Sequence, residues 1–170
     1  MFQLKPIAKE SIPRALAKAE RYRLLNEPRE AESICRDVLA VDGENQDALV
    51  CLVLSLTDTF HGMQHKADEV RPLVARLVRE YEREYYAGVI EERWGKALLE
   101  AGYPTPVVYD ALRIAMAYFD RSEAIAPPGN DDAALRWNAC ARFIERFRLA
   151  PAVHSDVPDS EMFDDDVPNR

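Results

Sequence analysis

The side chains best suited to metal chemistry lie in one short stretch near the middle of the chain. Asp58, His61, His65, Asp68 and Glu69 fall within about twelve residues, and imidazole and carboxylate groups are common ligands of zinc and other transition metals. One hypothesis is therefore a helical metal-dependent enzyme that uses Asp58, His61, His65 and Asp68. A glycine separates the two histidines, however, and the glutamate of an HExxH helix is absent.

An ordinary explanation fits the same stretch, because exposed helix ends collect polar residues. The sequence has no GxSxG motif, no glycine-rich phosphate loop and no Cys–His nucleophile pattern. We therefore expect no cofactor, no bound metal and no enzymatic activity, with the metal-dependent enzyme kept as an alternative.

The composition is that of an ordinary globular protein that functions in a reducing environment. The chain has 170 residues, enough for one domain with a core of its own. Cys35, Cys51 and Cys140 are scattered among apolar residues without CxxC spacing, which predicts buried, reduced thiols. No apolar run approaches the ~18 residues of a membrane span, and the first residues lack a signal-peptide core. These features predict a cytoplasmic protein that does not bind membranes.

Negative charge is concentrated at the C-terminal end. The net charge is −8, and the residues after 150 contribute −5 of it, from six acids and one arginine. The first 150 residues therefore carry −3 and contain no basic cluster, so nucleic acid is not an expected partner. The sequence predicts an N-terminal extension over residues 1–10, a helical domain over 11–150 and an acidic disordered tail over 151–170.

Apolar periodicity and turn residues predict helices throughout the domain. Ser11 is expected to cap the first helix, Pro28 to open the second, and Asn45 to cap a third that runs from Ala48 to Phe60. A fourth helix is expected to begin near Lys66.

Further helices are expected in the second half of the domain. A turn within residues 79–84, with one long helix as the alternative, precedes a helix that ends near residue 99. Thr105 is expected to cap a helix over residues 107–125, and Asn130 the last one.

Two parts of the domain share one pattern of small and large residues. Ala31, Cys35, Val38 and Gly43 have the same spacing as a later set, which also ends at a turn residue. A small residue at a helix crossing lets two backbones approach, and a larger one a turn away fills the adjacent gap. The later set is Ala115, Phe119, Ser122 and Pro127.

This pattern resembles the tetratricopeptide repeat (TPR) over roughly residues 11–149. The resemblance implies an all-α right-handed superhelix of about three helical hairpins, with the helix around Trp137 and Cys140 as a C-terminal capping helix. The middle hairpin matches the pattern only loosely, and the loops at residues 61–64 and 102–106 lengthen the repeats beyond the usual ~34 residues.

The resemblance also implies a function. Proteins of this family bind peptides or protein segments in a groove lined by the first helix of each hairpin, so we expect a non-enzymatic adaptor or scaffold. The positions of this sequence that match the groove are Leu16, Glu20, Arg23, Val50, Leu54, Asp58, Glu92, Lys96, Asn138 and Arg142.

The groove positions argue against one kind of partner. Family members that clamp a C-terminal carboxylate use Lys and Asn at the start of the groove, whereas this chain has Leu16 and Glu20, then Val50 and Leu54. A carboxylate would be repelled by Glu20. We expect a segment with both apolar and charged residues instead.

Other surfaces provide secondary hypotheses. Four arginines around the Pro127 turn could receive an acidic segment, such as the chain's own tail, and Met162-Phe163 between acids resembles a docking peptide. A structural subunit that associates with itself through its open repeat end or its tail, forming a homo-oligomer, is a further alternative. The four arginines are Arg113, Arg121, Arg136 and Arg142.

Overall fold

A computed structural model describes residues 2–62 and 66–152. Over these residues the fold is all-helical, with seven α-helices, two 3-10 turns (Lys9–Ser11 and Phe60–Gly62) and no β-strand. The helices are α1 (Ile12–Leu24), α2 (Pro28–Val41), α3 (Gln46–Thr57), α4 (Ala67–Val74), α5 (Glu80–Glu100), α6 (Thr105–Ala124) and α7 (Asp132–Phe147).

Most helices begin near the residue that local sequence signals predict. Pro28 is the first residue of α2, where its missing amide hydrogen leaves no hydrogen bond unmade. The Asn45 side chain accepts a hydrogen bond from the Ala48 amide at 3.0 Å and so caps α3. The Asn130 side chain accepts one from the Asp132 amide, also at 3.0 Å, but the cap of α7 is Asp131, one residue later than predicted.

Several predicted boundaries are wrong by a few residues. Ser11 flanks α1 but makes no capping side-chain bond, and Thr105 is the first residue of α6 rather than its cap. Helix α3 ends at Thr57 instead of Phe60. There the hydroxyls of Thr57 and Thr59 donate to the Leu54 and Leu56 carbonyls, and a 3-10 turn follows.

The break before α5 lies at residues 75–79, earlier than predicted, and residues 80–84 are already helical. Pro72 interrupts the amide ladder of α4, which ends two residues later. The Arg83 guanidinium donates to the carbonyls of Leu77 and Val78 at 2.9 and 2.8 Å, and the Gln46 side chain accepts from the Val78 amide. These bonds stabilise the turn.

Each helix packs against the next one along the chain, and α1 also contacts α3, as α3 contacts α5. Ala31 and Ala115 are fully buried, as the small-residue pattern predicts. One apolar core lies among α1 to α5 and a second among α5, α6 and α7. The odd-numbered helices α1, α3 and α5 are therefore neighbours, and they hold the candidate site.

Candidate binding groove

The first two odd-numbered helices enclose an open cavity of about 360 Å³. We call it the α1–α3 groove. It brings together five of the residues predicted to contact a partner: Leu16, Glu20, Arg23, Val50 and Leu54. It is completed by Pro13, Ala17, Asp47 and Cys51.

The groove continues toward the start of α5. A second cavity of about 290 Å³ shares Asp47 and Val50 with the first and is also lined by Val78 and Glu82. Glu82 accepts a hydrogen bond from the Arg79 guanidinium at 3.2 Å. The surface available to a partner therefore crosses from α1 over α3 to α5.

Arg23 and Asp58 lie at one end of the groove and join three helices. The Arg23 Nε donates to Asp58 Oδ2 at 2.9 Å, and Arg93 of α5 donates to Asp58 Oδ1. Arg93 also donates to Thr57 Oγ1 at 2.7 Å and to the Leu54 carbonyl at 3.2 Å. The network links α1, α3 and α5, so Arg23 and Asp58 have a structural role in addition to any role in binding.

Arg93 is the central residue of this network, and the sequence did not single it out. Burial lowers the pKa of its guanidinium, an effect that the adjacent Asp58 charge opposes. The sequence contained one signal for it. Arg93 precedes the predicted groove residue Lys96 by three positions, and residues three apart share a helix face. A third cavity, of about 350 Å³, is lined by Arg23, Asp58, Arg93 and Lys96.

Glu92 is buried rather than facing a partner. Its carboxylate is 1% exposed and accepts hydrogen bonds from Lys96 and, at 2.9 Å, from Arg136 of α7. The ion pair of Glu92 with Arg136 therefore links α7 to α5. Asn138 and Arg142, the predicted groove residues of α7, are exposed and lie outside the α1–α3 groove.

The four arginines around the Pro127 turn do not form one free basic strip. Arg121 pairs with Glu84 at 2.7 Å and Arg136 with Glu92. The Arg113 guanidinium contacts the sulfur of Met116, while Arg142 is exposed. Met162 and Phe163, predicted as a docking peptide, lie outside the described residues.

The hypothesis of a metal site finds no support in the part of the chain that the structure describes. Within it, no group of three or more His, Cys, Asp or Glu side chains is arranged to hold a metal ion. Asp58 pairs with Arg23 and Arg93, and Asp68 pairs with Arg71. His65 lies outside the described residues.

Comparison with known protein families, with curated proteins and with solved structures found no match. Over residues 2–62 and 66–152, no helix combines the length and the apolar character needed to cross a bilayer. What is known of the candidate site therefore comes from the positions and contacts of its own residues.

Proposed function

We propose that this protein is a non-enzymatic binding module, an adaptor or scaffold that holds a peptide or protein segment in the α1–α3 groove. The observation that carries the proposal is the groove itself. Five residues from two helices, separated by up to 38 positions in the sequence, line one open cavity with an apolar floor. Pockets that bind ligands are typically concave and largely apolar, with a few polar groups.

A TPR-like superhelix is the arrangement that we propose for the whole domain. Contacts between successive helices and between alternate helices support it, as does the complete burial of Ala31 and Ala115. In such an arrangement the odd-numbered helices share one face, which is where the groove lies. The three cysteines are buried and unpaired, which favours a reducing compartment such as the cytoplasm.

Selection from a random peptide library on the immobilised full-length chain tests the proposal. Ala17 is exposed and lines the groove, so Ala17→Arg fills it without disturbing the core. We expect selected peptides to bind this variant at least tenfold more weakly than the original protein. The matched control is Ala117→Arg, at an exposed alanine of α6, which should leave affinity unchanged.

Equal binding of the selected peptides to Ala17→Arg and the original chain would contradict the proposal. Failure of the library to yield any specific peptide would also contradict it. Circular dichroism of both variants verifies that the helices are retained.

Self-association is a second candidate, favoured by a row of exposed apolar side chains on α6. Val107 and Ile114 of α6 and Ile125, which directly follows the helix, are 45%, 49% and 44% exposed and lie seven and eleven residues apart, on one side of the helix axis. Light scattering should then show a mass that rises with concentration, and Ile114→Lys should abolish the rise.

A further inference from the structure

The α1–α3 groove combines an apolar floor with two acidic side chains, one on each wall. Leu16, Val50 and Leu54 are half-buried and supply apolar surface. Glu20 of α1 and Asp47 of α3 are both exposed. The groove therefore presents negative charge on both sides of an apolar surface.

Neither acid forms an ion pair with another side chain in the part of the chain that the structure describes. Across residues 2–62 and 66–152, no cationic group lies within ion-pair distance of Glu20 or Asp47. Arg23, which lines the groove, donates to Asp58 instead, and Arg79 in the continuation toward α5 donates to Glu82. A partner can therefore satisfy both carboxylates with its own cations.

Exposed apolar side chains extend the groove at its borders. Leu24 is 87% exposed and follows Ala17 by seven residues and Glu20 by four, which places all three on the same side of α1. Val78 is 74% exposed and lines the continuation of the groove toward α5. A partner that crosses the groove thus finds apolar surface beyond each acid.

We infer that the occupant of the groove is a basic and apolar segment of another protein, in which Leu- or Ile-like side chains alternate with Lys or Arg. Its apolar side chains contact Leu16, Val50 and Leu54, and its cations pair with Glu20 and Asp47. Complementary charge selects such a segment over an acidic one of equal apolar content. This inference rests on the proposed binding function and adds the chemistry of the partner.

Three synthetic peptides of about twelve residues test the inference by fluorescence anisotropy at physiological salt. The first contains Leu, Lys and Ser, the second has Glu in place of each Lys, and the third has Ser in place of each Leu. We expect the first to bind at least tenfold more tightly than either of the others.

A pair of double variants distinguishes the effect of the groove acids on peptide affinity from the effect of the overall charge of −8. Glu20→Gln with Asp47→Asn should weaken binding of the Lys-containing peptide about fivefold, as the loss of two exposed ion pairs predicts. Asp120→Asn with Glu123→Gln removes the same charge from exposed positions of α6 and should change affinity less than twofold. Thermal unfolding of both double variants verifies that they are folded.

Equal weakening by the two double variants would overturn the inference, because the attraction would then be to the whole molecule. Equal binding of the Lys- and Glu-containing peptides would overturn it as well. In both cases the Ala17→Arg variant distinguishes a failure of this inference from a failure of the proposed function. If it still abolishes binding of library-selected peptides, the groove binds a partner of different chemistry, and if it has no effect, the proposed function itself fails.

Discussion

Helix α5 is held to its neighbours in two different ways. Against α6 it presents glycines: a Cβ atom at Gly88 would lie 2.6 Å from the Phe119 ring, and one at Gly95 would lie 3.3 Å from the Ala111 Cβ. Against α4 and α7 it presents buried carboxylates. The first kind of contact depends on shape and the second on charge, so the two should respond differently to substitution.

The two carboxylates are adjacent in the sequence and differ in how many cations satisfy them. Glu91 is 4% exposed and receives two bonds from Arg71 of α4, at 2.7 and 3.0 Å. Glu92 is bonded by Lys96 as well as by Arg136. Because neighbouring residues of a helix point about 100° apart, one helix can hold a neighbour on each side.

The contact of α5 with α6 should be the most sensitive to substitution. Gly88→Ala places a methyl group inside the van der Waals surface of Phe119, which is fully buried and has little room to move. We expect the free energy of unfolding, measured by urea denaturation, to fall by about 2–3 kcal/mol, since overpacking outweighs the gain in helix propensity.

Gly95→Ala is the matched control for that measurement. The added methyl group would require Ala111 and Leu112 to move by only a few tenths of an ångström. Alanine also favours the helix over glycine by up to ~1 kcal/mol. Stability should therefore stay within about 1 kcal/mol of the original. If both variants lost the same stability, the close approach at Gly88 would not determine how α5 meets α6.

Removing the single cation of Glu91 should have the next largest effect. Arg71→Ala leaves a buried carboxylate without an ion-pair partner among the described residues, which we expect to cost about 2 kcal/mol of unfolding free energy. Hydrogen bonding to Glu91 raises the pKa of Arg71, so the guanidinium stays charged over the physiological range. The double variant Arg71→Met with Glu91→Met should recover most of the loss, because an apolar pair leaves no charge buried.

Arg136→Ala is the corresponding change on the other side of α5. Glu92 keeps Lys96 as a partner there, so the expected cost is about 1 kcal/mol or less. A larger loss for Arg136→Ala than for Arg71→Ala would mean that the number of cations does not decide the strength of these contacts.

The features that the sequence predicted correctly depend on near neighbours. Pro28 acts by lacking an amide hydrogen of its own, and Asn45 accepts from an amide three residues away, so both effects can be worked out from a short segment. Burial of Ala31 and Ala115 follows equally from the helical period around them. The break before α5 was misplaced because Gln46, more than thirty residues earlier, helps to fix it.

The details of the candidate site depend on distant residues. Gly88 had no predicted role, since its reason is the ring of Phe119 in the following helix. Glu92 was expected in the groove because it occupies the matching repeat position, yet the packing of α7 covers it. Arg93 likewise acquires its partners from α3. Sequence periodicity indicates which face of a helix points inward but not which side chains another helix will cover.

The thiol of Cys140 provides the mildest test of how α7 is attached. Burial, reinforced by the nearby Glu92 charge, raises the pKa of Cys140 from its ordinary value of 9.0 to about 12. The unfolded chain releases this proton near pH 9 and the folded chain only near pH 12. The stabilisation is therefore complete below pH 9 and is lost progressively as the pH rises toward 12.

Urea denaturation at pH 8 and pH 10 measures this effect. We expect the original protein to lose about 1 kcal/mol more than Cys140→Ala over that interval. Tyr86, whose pKa burial also raises to about 12, contributes to both proteins and cancels in the difference. Identical pH dependence of the two proteins would show that water reaches Cys140 in the folded state, and hence that the contact of Glu92 with Arg136 does not keep α7 closed on α5.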